Sequence, residues 1–122
     1  MLRVIVMVLA GGAPAMAQDA ITWRLTSLNG TDFVARATLT YLPDGTLQGE
    51  GPCNSYGGQL AALPPQWSLG AVRATRMACD DLAAEAAFFT ALTKMTAADQ
   101  TADSLTLTGP DGASMVFAAS GG

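Results

Sequence analysis

The sequence predicts a small α+β domain that is mainly β, in which antiparallel strands are accompanied by one helix. Several short segments alternate apolar and polar residues, as strands with one buried and one solvated face do. Asn-Gly and Pro-Asp-Gly turn sequences lie between such segments. One longer stretch, residues 81–95, contains no Gly or Pro and carries apolar residues at helical spacing.

The first 17 residues match the pattern of a secretion signal peptide. Arg3 provides the positive start, residues 4–10 are apolar, and Ala15-Met16-Ala17 forms an A-x-A cleavage site. Seven apolar residues are too few to cross a bilayer, which takes about 20 in a helix. The alternative interpretation of this segment is a buried N-terminal strand.

Cleavage is expected between Ala17 and Gln18, which leaves a single mature domain of residues 18–122. A domain of this size can bury one core. The first residue after the cleavage site is Gln18 rather than the cysteine that lipid attachment requires, so a lipid anchor is not expected. We therefore expect a protein that is soluble in the periplasm or secreted, and that is not membrane-spanning.

Three strands are predicted in the N-terminal half. Residues 21–25 and 35–41 alternate cleanly, and residues 46–49 return as the partner of the second segment. Asn29-Gly30 forms one turn. Pro43-Asp44-Gly45 forms another, because proline presets φ, aspartate bonds its own backbone and glycine takes positive φ.

Glycines are dense around Cys53, at positions 49, 51, 57 and 58. Such spacing within a strand indicates bulges or close approach of two backbones. A phosphate-binding loop is the alternative, but no Lys-Ser/Thr follows and no strand-to-helix unit surrounds it.

Shorter strand candidates complete the sheet. Pro64-Pro65 marks a loop, and residues 66–69 and 71–74 are brief apolar segments after it. Residues 104–108 alternate and turn through Pro110-Asp111-Gly112 into a last strand at residues 114–117.

The predicted helix has an aspartate at its start, where Asp80 or Asp81 can cap it and complement its dipole. Lys94 lies near its C-terminal end. We expect the apolar stripe to dock on the sheet rather than on a partner or a membrane, with Phe89 and Leu92 facing the core. The stripe consists of Leu82, Ala86, Phe89, Leu92 and Thr93, widened by Phe88 and Met95.

Composition excludes several function classes. The mature chain has five basic and ten acidic residues, a net charge of −5, which disfavours nucleic acid and anionic lipid as partners. The chain has no histidine, so Ser-His-Asp and Cys-His nucleophile systems cannot form within it. Two cysteines without histidine also make a closed zinc site implausible. No metal or other cofactor is expected.

Cys53 and Cys79 are the only cysteines of the chain. An even cysteine count in an exported chain points first to a disulfide. The alternative is a pair of buried free thiols, because Pro52 could aim the Cys53 side chain away from its partner.

The order of these features resembles the META domain family, typified by the bacterial HslJ-type heat-shock proteins. The likeness extends over about residues 21–118, and Pro52 departs from the small residue usual before that cysteine. The two most specific motifs are Cys-Asn and Thr-Arg-Met-x-Cys. The motif positions are Cys53, Asn54, Tyr56 and Gly58 in the first, and Thr75, Arg76, Met77 and Cys79 in the second.

The resemblance implies an antiparallel sheet that is curved into a barrel-like shape, with one helix packed on it. It places Cys53 at a strand end and Cys79 just before the helix. It also implies an association with heat or envelope stress, and it supplies no catalytic residue.

Three functions compete. The first is a non-enzymatic binding or structural module of the envelope, a monomer whose partner is an envelope protein or a small apolar ligand held in the mouth of the sheet. Trp67, Tyr56 and Met77 are candidate lining residues, with ordinary core packing as the alternative for each. The second is a thiol-dependent enzyme or redox protein that uses Cys53 or Cys79. Arg76 and the helix start would favour the thiolate, whereas Asp80 and Asp81 oppose it and the chain has no C-x-x-C motif.

The third is a carboxylate hydrolase built on neighbouring acidic residues. Asp80, Asp81 and Glu85 lie close together in sequence, but a helix cap and a solvated helix turn account for them. The sequence favours the first function over the other two.

Overall fold

The computed structural model describes residues 20–120, which form ten strands and one α-helix. The predicted signal segment and the cleavage site between Ala17 and Gln18 lie outside this range. Within it, no helix is long and apolar enough to cross a membrane. The strands are β1 Trp23–Leu28, β2 Thr31–Asp32, β3 Thr38–Tyr41, β4 Thr46–Glu50, β5 Ser55–Ala62, β6 Ser68–Leu69, β7 Arg73–Ala74, β8 Ala97–Gln100, β9 Ser104–Thr108 and β10 Ser114–Ala119.

The strands form one antiparallel sheet in the order β6-β5-β4-β3-β1-β10-β9-β8, with β2 paired to β1 and β7 paired to β5. The two ends of this sheet approach each other. The Ala98 N–H donates to Pro65 O at 2.9 Å, and the Trp67 N–H donates to Thr96 O at 3.1 Å. The Tyr41 hydroxyl on β3 also donates to Gln100 Oε1 on β8. The sheet is therefore a nearly closed barrel, which confirms the mainly β, barrel-like fold class.

The predicted turns have the expected backbone. Asn29 and Gly30 have φ values of 52° and 82°, and Asp111 and Gly112 have 61° and 77°. Two successive positive φ angles define the hairpin turn that matches the twist of antiparallel strands. At the third turn, Asp44 Oδ1 accepts the Thr46 N–H at 2.8 Å, as predicted.

The barrel interior is filled by side chains that point inward from the strands and the helix. Alternation puts Trp23 and Leu25 inside and Arg24 outside on β1, as the sequence predicts. The large side chains with less than 2% exposure are Trp23, Trp67, Phe88, Phe117, Leu25, Leu39, Leu47, Leu92, Leu105, Leu107 and Met115.

Helix α1 spans Leu82–Lys94 and packs against β6 and β10. The expected stripe is confirmed in part, because Phe88, Leu92 and Met95 are buried. It is wrong for Leu82, Ala86 and Thr93, which are exposed, and Phe89 is only half-buried. The buried residues of the helix are Glu85, Phe88, Ala91 and Leu92. The predicted side-chain cap is also wrong, because the Asp81 carboxylate makes no capping hydrogen bond and Asp80 is exposed.

Three strands were not predicted, namely the two-residue β2 and the longer β5 and β8. The longest, β5, follows Asn54 and contains Gly57 and Gly58, which weaken its pattern. Strand β8, Ala97–Gln100, has the sequence Ala-Ala-Asp-Gln and no alternation of large apolar residues. The predicted strand at residues 35–41 begins later, at Thr38, although Ala37 is buried and its carbonyl accepts the Leu25 N–H at 2.9 Å.

Candidate functional site

A disulfide joins Cys53 to Cys79, with the two Cα atoms 5.8 Å apart. This distance lies within the range that a disulfide requires. Cys53 lies between β4 and β5, and Cys79 lies three residues before helix α1. The predicted disulfide is therefore confirmed, and the alternative of two free thiols is wrong. The bond ties the sheet to the segment that leads into the helix.

The Asn54 side chain holds the second motif in place. Its Oδ1 accepts the Met77 N–H at 2.6 Å and the Thr75 hydroxyl at 2.9 Å. Its Nδ2 donates to the Met77 carbonyl at 3.0 Å. One buried amide thus makes the two backbone hydrogen bonds that a neighbouring strand would make. This explains why the Cys-Asn and Thr-Arg-Met-x-Cys motifs occur together.

Glu85 completes this arrangement from the helix. Its Oε1 accepts the N–H groups of Cys53 and Asn54 at 2.9 and 2.8 Å, and its Oε2 accepts Asn54 Nδ2 at 2.7 Å. The side chain is 5% exposed, so its interpretation as part of a solvated helix turn was wrong. Sequence reasoning could have located it, because Glu85 lies three residues before Phe88 and seven before Leu92 on the buried face.

The pKa of Glu85 reflects two opposing effects. Burial, the largest single effect, raises the pKa because it penalises the charged form. The hydrogen bonds from Asn54 Nδ2 and from the N–H groups of Cys53 and Asn54 act the other way, and together they leave the pKa below its ordinary value. Glu85 is therefore a buried carboxylate that stays ionised because donors surround it.

We call Asn54, Thr75 and Glu85, with the backbone of Cys53 and Met77, the motif network. Nearby glycines make room for it. A side chain at Gly51 would place its Cβ 2.7 Å from Glu85 Oε1, and one at Gly58 would place it 3.0 Å from Leu69 Cδ1. Close backbone approach was the predicted role of this glycine-rich segment, and Gly49 shows it, because a Cβ there would collide with the Thr38 carbonyl.

The exposed side of the motif network borders a groove of about 410 Å³ between helix α1 and residues 72–78. We call it the motif groove. Its wall combines polar and apolar groups, and two of its apolar side chains are unusually exposed: Met77 by 64% and Leu82 by 45%. Arg76 also lines the groove, and its side chain makes no hydrogen bond within residues 20–120. The lining residues include Val72, Met77, Leu82, Glu85 and Phe89.

Trp67, Tyr56 and Met77 do not share the apolar mouth considered for them. Trp67 and Tyr56 are buried in the core at 2% and 4% exposure, whereas Met77 lies at the surface. Tyr56 packs edge-on against Phe88, with ring centres 5.5 Å apart, and donates its hydroxyl to Thr38 O at 2.7 Å. The core-packing alternative is thus correct for Trp67 and Tyr56, and wrong for Met77.

The acidic residues near the helix start are not brought together. Asp80 and Asp81 are exposed, while Glu85 is buried with both oxygens bonded to donors. Among residues 20–120 there is no group of three or more His, Cys, Asp or Glu side chains placed to hold a metal ion. The arrangement is a hydrogen-bonded frame beside a groove that has exposed apolar side chains.

Comparison with known proteins places this frame in a family. The META domain model matches residues 16–122. A solution structure of a protein from Burkholderia xenovorans is similar, with 26% identity over 95% of each chain and a TM-score of 0.64. A crystal structure of a DUF4847 family protein from Bacteroides vulgatus has 14% identity over 89% of this chain and 96% of its own, with a TM-score of 0.64.

A second solution structure gives a TM-score of 0.65 at 18% identity, over 89% of this chain and 96% of the other. The two structures below 25% identity show the shared fold alone. No curated protein matches the chain. Since the family model covers all of the described residues, with both cysteine motifs inside the match, the chain belongs to the META domain family.

Proposed function

We propose that this META domain protein is exported and serves as a non-enzymatic binding module of the cell envelope, with a role under heat or envelope stress. Export is supported by the signal-like residues 1–17 and by the Cys53–Cys79 disulfide, since disulfides persist mainly in oxidising compartments. The stress role rests on what the family resemblance implies.

One observation carries the proposal: the motif residues bond to one another and border a groove in which Met77 and Leu82 are exposed. The Asn54 amide and the Glu85 carboxylate direct their polar atoms at each other and at the backbone. A carboxylate with a lowered pKa and three donors is a poor general base at neutral pH. The motif network therefore fits a structural role better than a catalytic one.

The motif groove supplies the binding surface in this proposal. Met77 and Leu82 expose apolar side chains on either side of it, so a partner that covers the groove would remove both from water. Because the groove is shallow and open rather than enclosed, it suits an apolar segment of an envelope protein. The exposed Arg76 at its edge favours a partner that also carries an acidic residue.

Native mass spectrometry of the exported protein from its own periplasm tests this role. We expect a partner to appear as added mass, and to be lost when Met77 in the groove is changed to Glu. The matched control is Val34→Glu, because Val34 is 92% exposed and lies outside the motif groove. Added mass that survives Met77→Glu, or no added mass at all, contradicts the groove as the binding surface.

A screen of ester, peptide and peroxide substrates tests the non-enzymatic part. We expect no turnover by the mature protein. Turnover that is abolished by Cys53→Ser, Cys79→Ser or Glu85→Gln would overturn the proposal and identify the group responsible.

A thiol-based redox function is the second candidate, and one contact favours it. The Asp81 N–H at the start of helix α1 lies 3.3 Å from Cys79 Sγ, where it would stabilise a thiolate after reduction. Cys79 is also exposed. This candidate predicts that a second dithiol protein is oxidised by the domain at a measurable rate, whereas the binding module predicts no such exchange.

A further inference from the structure

The outer face of the sheet, on the side away from the core, carries a separate cleft of about 680 Å³. We call it the outer groove. It crosses strands β1, β3, β4 and β5, and alternation along these strands turns polar side chains into it while Leu39 and Leu47 point inward. The residues that matter here are Thr22, Arg24, Arg36, Thr40, Gln48 and Glu50.

At the outer groove, the regular backbone pairing of β3 with β4 gives way to side-chain contacts. The two strands pair at Thr40–Gln48 and Tyr41–Leu47, and beyond this point the Glu50 N–H donates to the Thr38 hydroxyl at 3.1 Å. The Tyr56 hydroxyl reaches Thr38 O from the core side. A side chain at Gly49 would collide with the Thr38 carbonyl, so glycine is required where these strands meet.

The Tyr56–Thr38 hydrogen bond holds the floor of the outer groove in place. Burial first, and then the nearby Glu50 carboxylate, raise the pKa of Tyr56. Its hydroxyl therefore remains a hydrogen-bond donor to Thr38 O at any physiological pH. A groove whose floor is fixed in advance loses little entropy when it binds a ligand.

The lining combines positive charge with hydroxyl and amide groups. Arg24 and Arg36 face one carboxylate, Glu50, so the groove carries a net positive charge in a chain with net charge −4. No ion pair joins either guanidinium to a carboxylate within residues 20–120. Guanidinium groups bind carboxylate and phosphate in paired hydrogen bonds.

The hydroxyl groups lie beside these charges. Thr40 Oγ1 donates to Thr22 Oγ1 at 3.3 Å, and Gln48 is the direct cross-strand neighbour of Thr40. Exposed hydroxyls and an amide offer donors and acceptors together, which is what a ligand with many hydroxyl groups requires.

We propose that the outer groove binds a polyhydroxylated anion, namely a sugar that carries a carboxylate or a phosphate. Arg24 and Arg36 hold the acidic group, and the row Thr22, Thr40 and Gln48 hydrogen-bonds the sugar hydroxyls. This site does not depend on the motif groove or on its partner.

Amide chemical-shift titration of the ¹⁵N-labelled mature protein tests the proposal. The probes are trigalacturonate for the carboxylate source, glucose 6-phosphate for the phosphate source, and maltotriose as the neutral control. We expect saturable shifts at Thr22, Thr40 and Gln48 with at least one anionic probe, at concentrations up to about 10 mM. Added salt should weaken these shifts, because exposed charges are screened.

Arginine variants test whether Arg24 and Arg36 bind the acidic group of the ligand. Arg24→Gln and Arg36→Gln should each weaken binding about tenfold or more, since each removes charge-assisted hydrogen bonds. Arg73→Gln is the matched control, because Arg73 is exposed on β7 and does not line this groove. Both arginines are exposed, so the variants should fold, and a dispersed spectrum checks this.

The outcomes separate cleanly. Binding of only one anionic probe shows whether the groove prefers a carboxylate or a phosphate. Binding of both shows that it recognises either acidic group. Equal binding of maltotriose, unchanged affinity in both arginine variants, or no saturable shift with either anionic probe would overturn the proposal.

Discussion

At the scale of single residues, Glu85 and Asn54 show how a polar pair can organise a surface segment. Residues 73–81 are exposed and have few apolar contacts to hold them. The Asn54 amide substitutes for a neighbouring strand, and Glu85 orients that amide from below. The chemistry of these residues is visible in the sequence, but their meeting is not, because Asn54 and Glu85 are 31 positions apart.

Glu85→Gln should destabilise the domain by about 1.5–3 kcal/mol at pH 7, the usual value of hydrogen bonds to a buried charge. Glutamine replaces one acceptor with an N–H₂ group. Whichever way its amide is turned, a donor then faces either Asn54 Nδ2 or the N–H groups of Cys53 and Asn54. Urea unfolding of the variant measures the loss, with the exposed Asp81→Asn as control.

The difference between wild type and Glu85→Gln should shrink as the pH falls. The folded pKa of Glu85 lies below its ordinary value of 4.5, so its stabilisation is complete above that value. As the pH drops below it, the unfolded chain takes up the proton first, and stability is lost down to the folded pKa. A difference that stays constant from neutral pH to well below the ordinary pKa would show that the ionised carboxylate is not the stabilising group.

At the scale of elements, the helix shows what periodicity can and cannot establish. The absence of Gly and Pro predicts its existence and nearly its ends, Leu82–Lys94 against the predicted 81–95. Periodicity does not predict which side of the helix faces the core, because its own Ala and Phe residues occupy most of its circumference. Glu85 belongs to the buried face for a reason outside the helix, namely the donors on Cys53 and Asn54.

Phe88→Ala should cost about 3–5 kcal/mol, because Phe88 is fully buried and the change leaves a cavity. Its ring contacts Tyr56 at 5.5 Å and Phe33 at 6.4 Å between centres. Phe89→Ala should cost less, within the common range of about 0.5–3 kcal/mol, because Phe89 is half-buried.

Urea unfolding of both variants decides the orientation of the helix. The exposed Thr90→Ala is the control and should change stability by no more than about 0.5 kcal/mol. A larger loss for Phe89→Ala than for Phe88→Ala would contradict the observed buried face.

At the scale of the whole molecule, closure of the barrel cannot be predicted from local sequence patterns. Strand β8 has no alternation of its own and becomes a strand because Ala98 pairs with Leu107 on β9 and donates to Pro65 on the far edge. Such contacts are set by the tertiary fold, which local propensity does not encode. The mainly β class and the turns were predictable, because alternation and turn residues act locally.

The Cys53–Cys79 disulfide acts at this largest scale, because it closes a loop that includes β5, β6 and β7. The two cysteines are 26 positions apart, and in the chain-entropy model a loop of this length stabilises the fold by about 3–4 kcal/mol. The Cys53→Ser, Cys79→Ser double variant should lose about this much in urea unfolding. Reductant should lower the midpoint of the wild type to the same degree and leave the double variant unchanged.

Hydrogen exchange then shows where the loss of the disulfide is felt. The Met77 amide, held by Asn54 Oδ1, should exchange faster in the double variant, because the exposed segment 73–81 loses one of its two attachments. The exchange rates of amides in β9, such as that of Leu107 within the sheet, should change only as far as the global stability changes. Unchanged protection at Met77 together with an unchanged midpoint would mean that the motif network alone holds the segment, and that the disulfide serves redox chemistry instead.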